Sequence, residues 1–292
     1  MSDKTLPLLA SATTGIFVGV GLVLTRYAIT ETGPMSVAFL RYLFGVLYLL
    51  PFLLSLRFVP FQKRDLLPVI LLGIGQFGIL IGLINYAVTV IHPGQAALIF
   101  AVFPLLTMGF AVAIGQEPFT VRRALGIALT IVGVGFSIGG AALGGELSDA
   151  QWLGVGAAFL SAVTGAFCSV LYRPFLMRYP TLQIGSLAMF AATLFLGVLA
   201  VPEGLFDAWP EFSTGVWLAL LGIGAVSGVG YLLWLYALQK VWASNVAAFM
   251  GLSPLTASLL GLVFLGEAVT LADGLGVALV VAGLSLALWR SR

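Results

Sequence analysis

The sequence predicts an all-α membrane protein of ten transmembrane helices arranged as two inverted five-helix repeats, and three observations carry that prediction. Composition is the first: 61% of the 292 residues are hydrophobic and 8% are charged, whereas a soluble domain is about a quarter charged. Length is the second, because the apolar runs reach about 20 residues, the helix needed to cross a hydrocarbon layer of about 30 Å. The third is an internal offset of 150 residues, which separates Glu117 from Glu267 and Pro104 from Pro254. Each glutamate ends an apolar run 13 residues after its proline. In a chain with 11 acidic residues, a matched glutamate pair marks one module written twice.

Without a gap, the same offset pairs Tyr86 and Ala87 with Tyr236 and Ala237, Gly126 and Gly133 with Gly276 and Gly283, and Ser11, Thr14 and Gly15 with Ser161, Thr164 and Gly165. The repeats are placed at residues 1–142 and 150–292. Helices are preferred to strands because the runs are about twice the length of a membrane strand and lack strict alternation. The first span, 6–28, follows the lone basic residue Lys4 and is too long for a signal-peptide core. Glu31-Thr-Gly-Pro34 punctuates the chain before the second, 35–56, and Lys63 and Arg64 precede the third, 66–88. The fourth, 95–114, holds Pro104 and stops before Glu117, and the fifth, 122–139, opens on Arg122 and Arg123. The sixth, 152–176, follows Asp149 and aligns with the first, while the seventh, 182–201, stops at Pro202-Glu-Gly204. The eighth covers 214–238. The ninth, 243–265, holds Pro254 and stops before Glu267, and the tenth covers 272–289. No soluble domain fits between them.

Charge sets the expected orientation. With a cytoplasmic amino terminus, the inner segments hold 11 of the 13 basic residues, among them Lys63, Arg64, Arg122, Arg123, Arg173 and Arg178. The outer loops hold Arg26 alone and collect Glu146, Asp149, Glu203, Asp207 and Glu211. This places both termini in the cytoplasm. Five spans per repeat is an odd number, so the second copy enters the membrane upside down. Inverted repeats of this kind characterise many secondary transporters, with the substrate near the midplane between halves that rock. A net charge of +2, scattered along the chain, points away from nucleic acid. The single Cys168 excludes an intramolecular disulfide framework.

The pattern Ala97-Leu-Ile-Phe-Ala-Val-Phe-Pro104, then Gly115-Gln-Glu117, Gly126 and Gly133 resembles the EamA-type module of the drug/metabolite transporter superfamily. So does the second copy, in Tyr231-Leu-Leu-Trp234-Leu-Tyr236-Ala237-Leu238, Ala243-Ser244, Pro254, Leu265-Gly-Glu267 and Gly276 to Gly283. Arg41 stands where that family's first module commonly has Arg. The chain departs from the pattern at Gly15 and Gly165, where the family often shows Trp. The resemblance implies a ten-helix exporter of small metabolites, amino acids among them, in the bacterial inner membrane.

Read from the residues alone, Pro104 and Pro254 fall near mid-span, where each lacks the N–H that would meet the carbonyl four residues back, at Phe100 and Met250. Those carbonyls are candidate substrate ligands, and the prolines are candidate kinks for a rocking motion. Arg41 lies about 9 Å inside its span, either as a structural clamp or as the partner of a substrate carboxylate. Gln76, Ser227 and Tyr231 are polar groups at mid-span, and Trp234 lies one turn before Tyr236, so these four join the candidate binding wall. Tyr86 and Tyr236 are candidate gates or interfacial anchors. Glu117 and Glu267 are expected to act structurally at helix ends, each capping the helix that follows. Gly73-Ile-Gly75-Gln-Phe-Gly78 matches a nucleotide fingerprint only in form, since no strand precedes it.

These readings favour a transporter over an enzyme: His92 is the only histidine, and no nucleophile–base pair or metal-ligand cluster is visible. No cofactor or metal is expected. The expected partners are a small-molecule substrate and the lipid bilayer. Amino acids are the favoured cargo because their own opposite charges need few fixed protein charges, with the carboxylate at Arg41 and the ammonium at the Phe100 and Met250 carbonyls or on aromatic faces. Drugs or amphipathic organic cations are the alternative cargo, and a receptor or structural protein that moves no solute is the alternative class.

Overall fold

The computed structural model describes residues 5–55, 58–91, 96, 99–142, 148–207, 211–265 and 271–288. Helices dominate, and no strand occurs among the described residues. In the first half these are α1 (Thr5–Ala28), α2 (Pro34–Ser55), α3 (Lys63–Gly73) and α4 (Leu80–Val90), then α5 (Phe103–Ala113) and α6 (Val121–Ala142). The second half holds α7 (Asp149–Leu171), the short α8 (Arg173–Leu176), α9 (Thr181–Ala200) and α10 (Thr214–Lys240), then α11 (Ala243–Ala248), α12 (Leu252–Leu265) and α13 (Leu271–Leu288). Six continuous stretches are apolar and long enough to span a bilayer: Thr5–Ala28, Pro34–Ser55, Lys63–Val90, Asp149–Leu176, Thr181–Glu203 and Thr214–Lys240.

Local chemistry explains where several of these helices begin and where some are interrupted. Ser148 and Gln151 form a reciprocal capping box at the start of α7, which satisfies two backbone donors that the first turn leaves open. Between α3 and α4 the helix widens into a π turn, Ile74–Ile79, a departure from the uninterrupted third span of the sequence reading. The fourth and ninth spans are both broken. A turn at Ala101–Val102 precedes α5, whose second residue is Pro104, and a 3₁₀ turn, Phe249–Gly251, separates α11 from α12, whose third residue is Pro254. Proline removes one ladder donor and crowds the preceding turn, so each break lies just ahead of its proline rather than on it.

The two halves are interleaved. The closest packing of α1 is against α10 and α12, and that of α7 is against α4 and α5. Under the 150-residue offset these are equivalent pairings with the halves exchanged. By the same offset, α2 against α9 and α6 against α13 are self-matched pairs. Gly15 makes the α1 contact possible: a Cβ there would collide with the Phe249 carbonyl in the second break. Gly73 plays this part against α9, where a Cβ would lie 2.5 Å from the Ala188 carbonyl oxygen. The formal fingerprint in the third span is thus helix packing.

The main core cluster lies between the halves, with Tyr42, Phe77, Phe103, Tyr172, Tyr231 and Trp234 among its buried members. Large apolar side chains also point outward, Phe52, Leu54, Leu153, Leu194, Val198 and Leu218 among them. An apolar perimeter of this extent around a core that is also apolar is the pattern of a protein solvated by lipid.

Candidate functional site

A cavity of about 160 Å³ lies between the halves. Residues from α1, α2, the π turn, α4, α6 and α10 line it, together with both breaks. Much of the wall is apolar, and among the described residues Arg41 is the one charged residue lining it. α2 holds Arg41 at 9% exposure, and its Nε donates to Ser227 Oγ on α10 at 2.6 Å. Among the described residues no carboxylate pairs with it. A charge removed from water in this way needs an ionic or strongly hydrogen-bonding partner, and one serine hydroxyl and the Tyr42 ring, whose centroid is 5.5 Å from the guanidinium carbon, meet only part of that need.

Around Arg41 the wall is aromatic. Phe77 packs edge-on to Tyr231 with ring centroids 4.0 Å apart and lies 5.0 Å from Tyr42. Phe100 stacks on Phe103 at 5.2 Å, and Phe103 meets Trp234 at 6.0 Å. Within this shell Gln76 Oε1 and Trp234 Nε1 are buried without a hydrogen-bonding partner among the described residues, and the Tyr231 hydroxyl faces that of Tyr172. Buried polar groups are nearly always paired, so Gln76 and Trp234 are the unsatisfied hydrogen-bonding groups of the described wall.

Arg41, Gln76, Phe100, Ser227, Tyr231, Trp234 and Met250 all line this cavity, as do Pro104 and Pro254. Tyr86 and Tyr236 do not: Tyr86 is 37% exposed on α4, and Tyr236 packs beside the core cluster. The Met250 carbonyl, expected to lack a partner, is met together with that of Phe249 by the Leu252 N–H inside the 3₁₀ turn. The cavity also includes Thr14, Tyr42, Phe77, Asn85, Thr130 and Ser253, which the sequence reading did not single out. Thr14 belongs to a pair matched by the repeat offset, and Tyr42 and Phe77 adjoin residues that were singled out, so part of that signal was present.

Glu117 is buried, and its carboxylate accepts from the Ser244 backbone N–H at 3.1 Å, from the Ser244 hydroxyl and from Arg123 at 3.3 Å. It caps α11 in the opposite half, not the helix that follows it, because α11 starts beside it. Glu267 lies outside the described residues. Two further carboxylates tie the halves. Glu203 accepts from the Met35 and Ser36 backbone N–H groups at 2.9 and 2.7 Å, at the start of α2. Glu31 accepts from the Ser213 hydroxyl and backbone N–H, at the start of α10, and these two bonds hold its carboxyl below the usual glutamate value. Elsewhere, Asp65 binds Arg178 at 3.0 Å and the Tyr179 hydroxyl at 2.8 Å.

These ties fall at two ends of the molecule. Glu31 and Glu203 join loops beside the end of α1 and the start of α2, whereas Asp65 and Glu117 join the start of α3 and the end of α5 to the second half. From the level of Gln76 and the two prolines, the cavity wall runs along α4 through Asn85 to Val88 and on to Ala96. It reaches away from the Asp65 end of that span.

Residues 5–139 and 152–289 match the EamA-like transporter family. An uncharacterized transporter of Archaeoglobus fulgidus is 24% identical over 94% of this chain and 95% of its own length. A probable terminal-alkyne amino-acid exporter of Streptantibioticus cattleyicolor is 29% identical over 77% of this chain and 74% of its own. A protein of known crystal structure, 23% identical, aligns with a TM-score of 0.82 over 97% of this chain and 98% of that one, a likeness of fold. With both halves matched and apolar helices of bilayer length, the chain belongs to the EamA-like transporter family and is a multi-pass membrane transporter.

Proposed function

We propose that the chain is a secondary transporter of the bacterial inner membrane that exports small metabolites, amino acids foremost, by alternating access between two inverted five-helix repeats, 1–142 and 150–292. The observation that carries the cargo class is Arg41, among the described residues the one charged side chain lining the cavity, buried and without a carboxylate partner. A guanidinium fixed by Ser227 offers its remaining N–H groups to a substrate carboxylate. The amino-acid exporter among the relatives supports the same class. Two broken helices at matched positions supply the backbone irregularity that transporters place around a midplane site. Glu117 and the proposed gates Tyr86 and Tyr236 act outside the cavity, the first as a cap and the other two at the helix surface and the core margin. Both termini are assigned to the cytoplasm, so the cavity's extension along α4 toward Ala96 leads to the outer side.

The test is flux. In proteoliposomes, a labelled apolar amino acid equilibrates across the membrane faster than in empty vesicles, and Arg41→Ala removes that excess while the protein still inserts. The aromatic wall favours organic cations as the second cargo, but the Arg41 charge opposes them. Cation flux that survives Arg41→Ala, with no amino-acid flux, replaces the first reading with the second. A chain that moves neither solute class is a receptor or structural protein.

A further inference from the structure

We infer that this cavity recognises one carboxylate and an apolar body but not an ammonium group, so that apolar hydroxy and oxo monocarboxylates are cargo alongside the matching amino acids. The inference rests on the transporter reading of the same cavity and adds a cargo class to it. Its basis is a count of complementary groups. Among the described residues Arg41 is the only charged one in the wall, and neither Asp nor Glu lines it. The Arg41 Nε–H is taken by Ser227, and the terminal N–H groups make no other hydrogen bond among the described residues. A guanidinium presented in this way binds a carboxylate through two parallel hydrogen bonds.

The ammonium of an amino acid has no such counterpart. Its acceptors among the described wall residues are neutral: Gln76 Oε1, which is unpartnered, and the Tyr231 hydroxyl oxygen beside Tyr172. A cation stripped of water needs an opposing charge, and here the nearest fixed charge is Arg41, of the same sign. A hydroxyl in that position asks less. It donates to Gln76 Oε1 and accepts from Trp234 Nε1, so one neutral group engages two buried atoms that lack partners. An oxo group accepts from Trp234 in the same way. The apolar body lies among Phe77, Phe103 and Trp234, in a cavity of about 160 Å³, near the ~150 Å³ of an apolar protein cavity that takes up benzene.

Three ligands of one shape separate the terms: phenyllactate has the carboxylate and a hydroxyl, phenylalanine has the carboxylate and the ammonium, and phenylalanine amide has the ammonium and a neutral carboxamide in place of the carboxylate. Binding to the purified full-length protein is read from the ligand-dependent rise in unfolding temperature. Phenyllactate is expected to bind at least as tightly as phenylalanine, and the amide roughly 10- to 100-fold more weakly than either, the range set by hydrogen bonds to a charged group. Arg41→Gln removes the difference between phenyllactate and the amide, and Arg41→Lys retains part of it. The wild-type comparison stands even if both variants fail to fold. Phenylalanine binding more than about tenfold tighter than phenyllactate overturns the inference, since that gap of about 1.4 kcal/mol is the ammonium's contribution. Amide binding equal to phenylalanine overturns it too, as does stabilisation by none of the three. Amino-acid flux without phenyllactate binding defeats this inference alone, and phenyllactate binding without amino-acid flux defeats only the amino-acid reading above.

Discussion

Glu117 and Arg41 answer the same physical problem in opposite ways. Each is a charge inside an apolar protein, exposed by 4% and 9% respectively. Glu117 is saturated, by the Ser244 backbone and hydroxyl and by Arg123, whereas Arg41 is bonded to one hydroxyl. A saturated charge has structural work, and an unsaturated one awaits a partner. Glu117→Gln keeps the shape but exchanges the anion for a neutral amide, weakening the α11 cap and the Arg123 pair. The expected loss is about 1–3 kcal/mol of stability, read as a lower unfolding temperature in detergent, with amino-acid affinity unchanged. A shift in affinity with no shift in unfolding temperature assigns Glu117 to the site instead. The sequence showed that Glu117 recurs and ends a span, but not its partner, because Ser244 lies 127 residues away and only the interleaving of the halves brings the two together.

The broken helices are the elements most directly tied to motion. Proline spacing located both breaks from sequence to within a turn, because loss of one donor acts locally. The π turn at Ile74–Ile79 was not legible. It adds one residue to a helical turn without any compositional mark, and it often occurs at functional positions, here the position of Gln76. The turn at Ala101–Val102 and the 3₁₀ turn at Phe249–Gly251 put Phe100 and Met250 in the cavity wall, and α1 passes so close to the second break that Gly15 has no room for a side chain. Pro104→Ala and Pro254→Ala return an N–H to each ladder and favour a straighter helix. Each variant should insert and express as the parent does, while transport slows several-fold, because the hinge stiffens and the binding groups remain. Parental rates in both variants, measured at saturating amino acid, remove the breaks from the transport cycle.

For the whole molecule, two proposals stand together: which way it sits in the membrane and what drives the cargo. The basic residues Lys63, Arg64, Arg122, Arg123, Arg173 and Arg178 gather on one side of the proposed topology, which makes that side cytoplasmic. In intact cells an impermeant thiol reagent should therefore label Asp149→Cys and spare Lys63→Cys, and the reverse pattern inverts the topology. Coupling follows from where the acids lie. Asp65, Glu117, Glu31 and Glu203 bind at helix ends or in loops, and among the described residues no Asp, Glu or His lines the cavity. Proton-driven carriers place such groups along the path, where one side chain alternately holds a proton and faces the substrate. Arg41 is the charge that the described wall presents instead. Its fixed charge lets an anionic group enter without a co-transported proton. The cargo should therefore move down its own gradient: in proteoliposomes an amino acid supplied on one side equilibrates and stops, at a rate that an imposed pH gradient leaves unchanged. Accumulation above the external concentration, driven by that gradient, requires a titrating group beyond the described residues of this cavity wall and overturns the uncoupled mechanism.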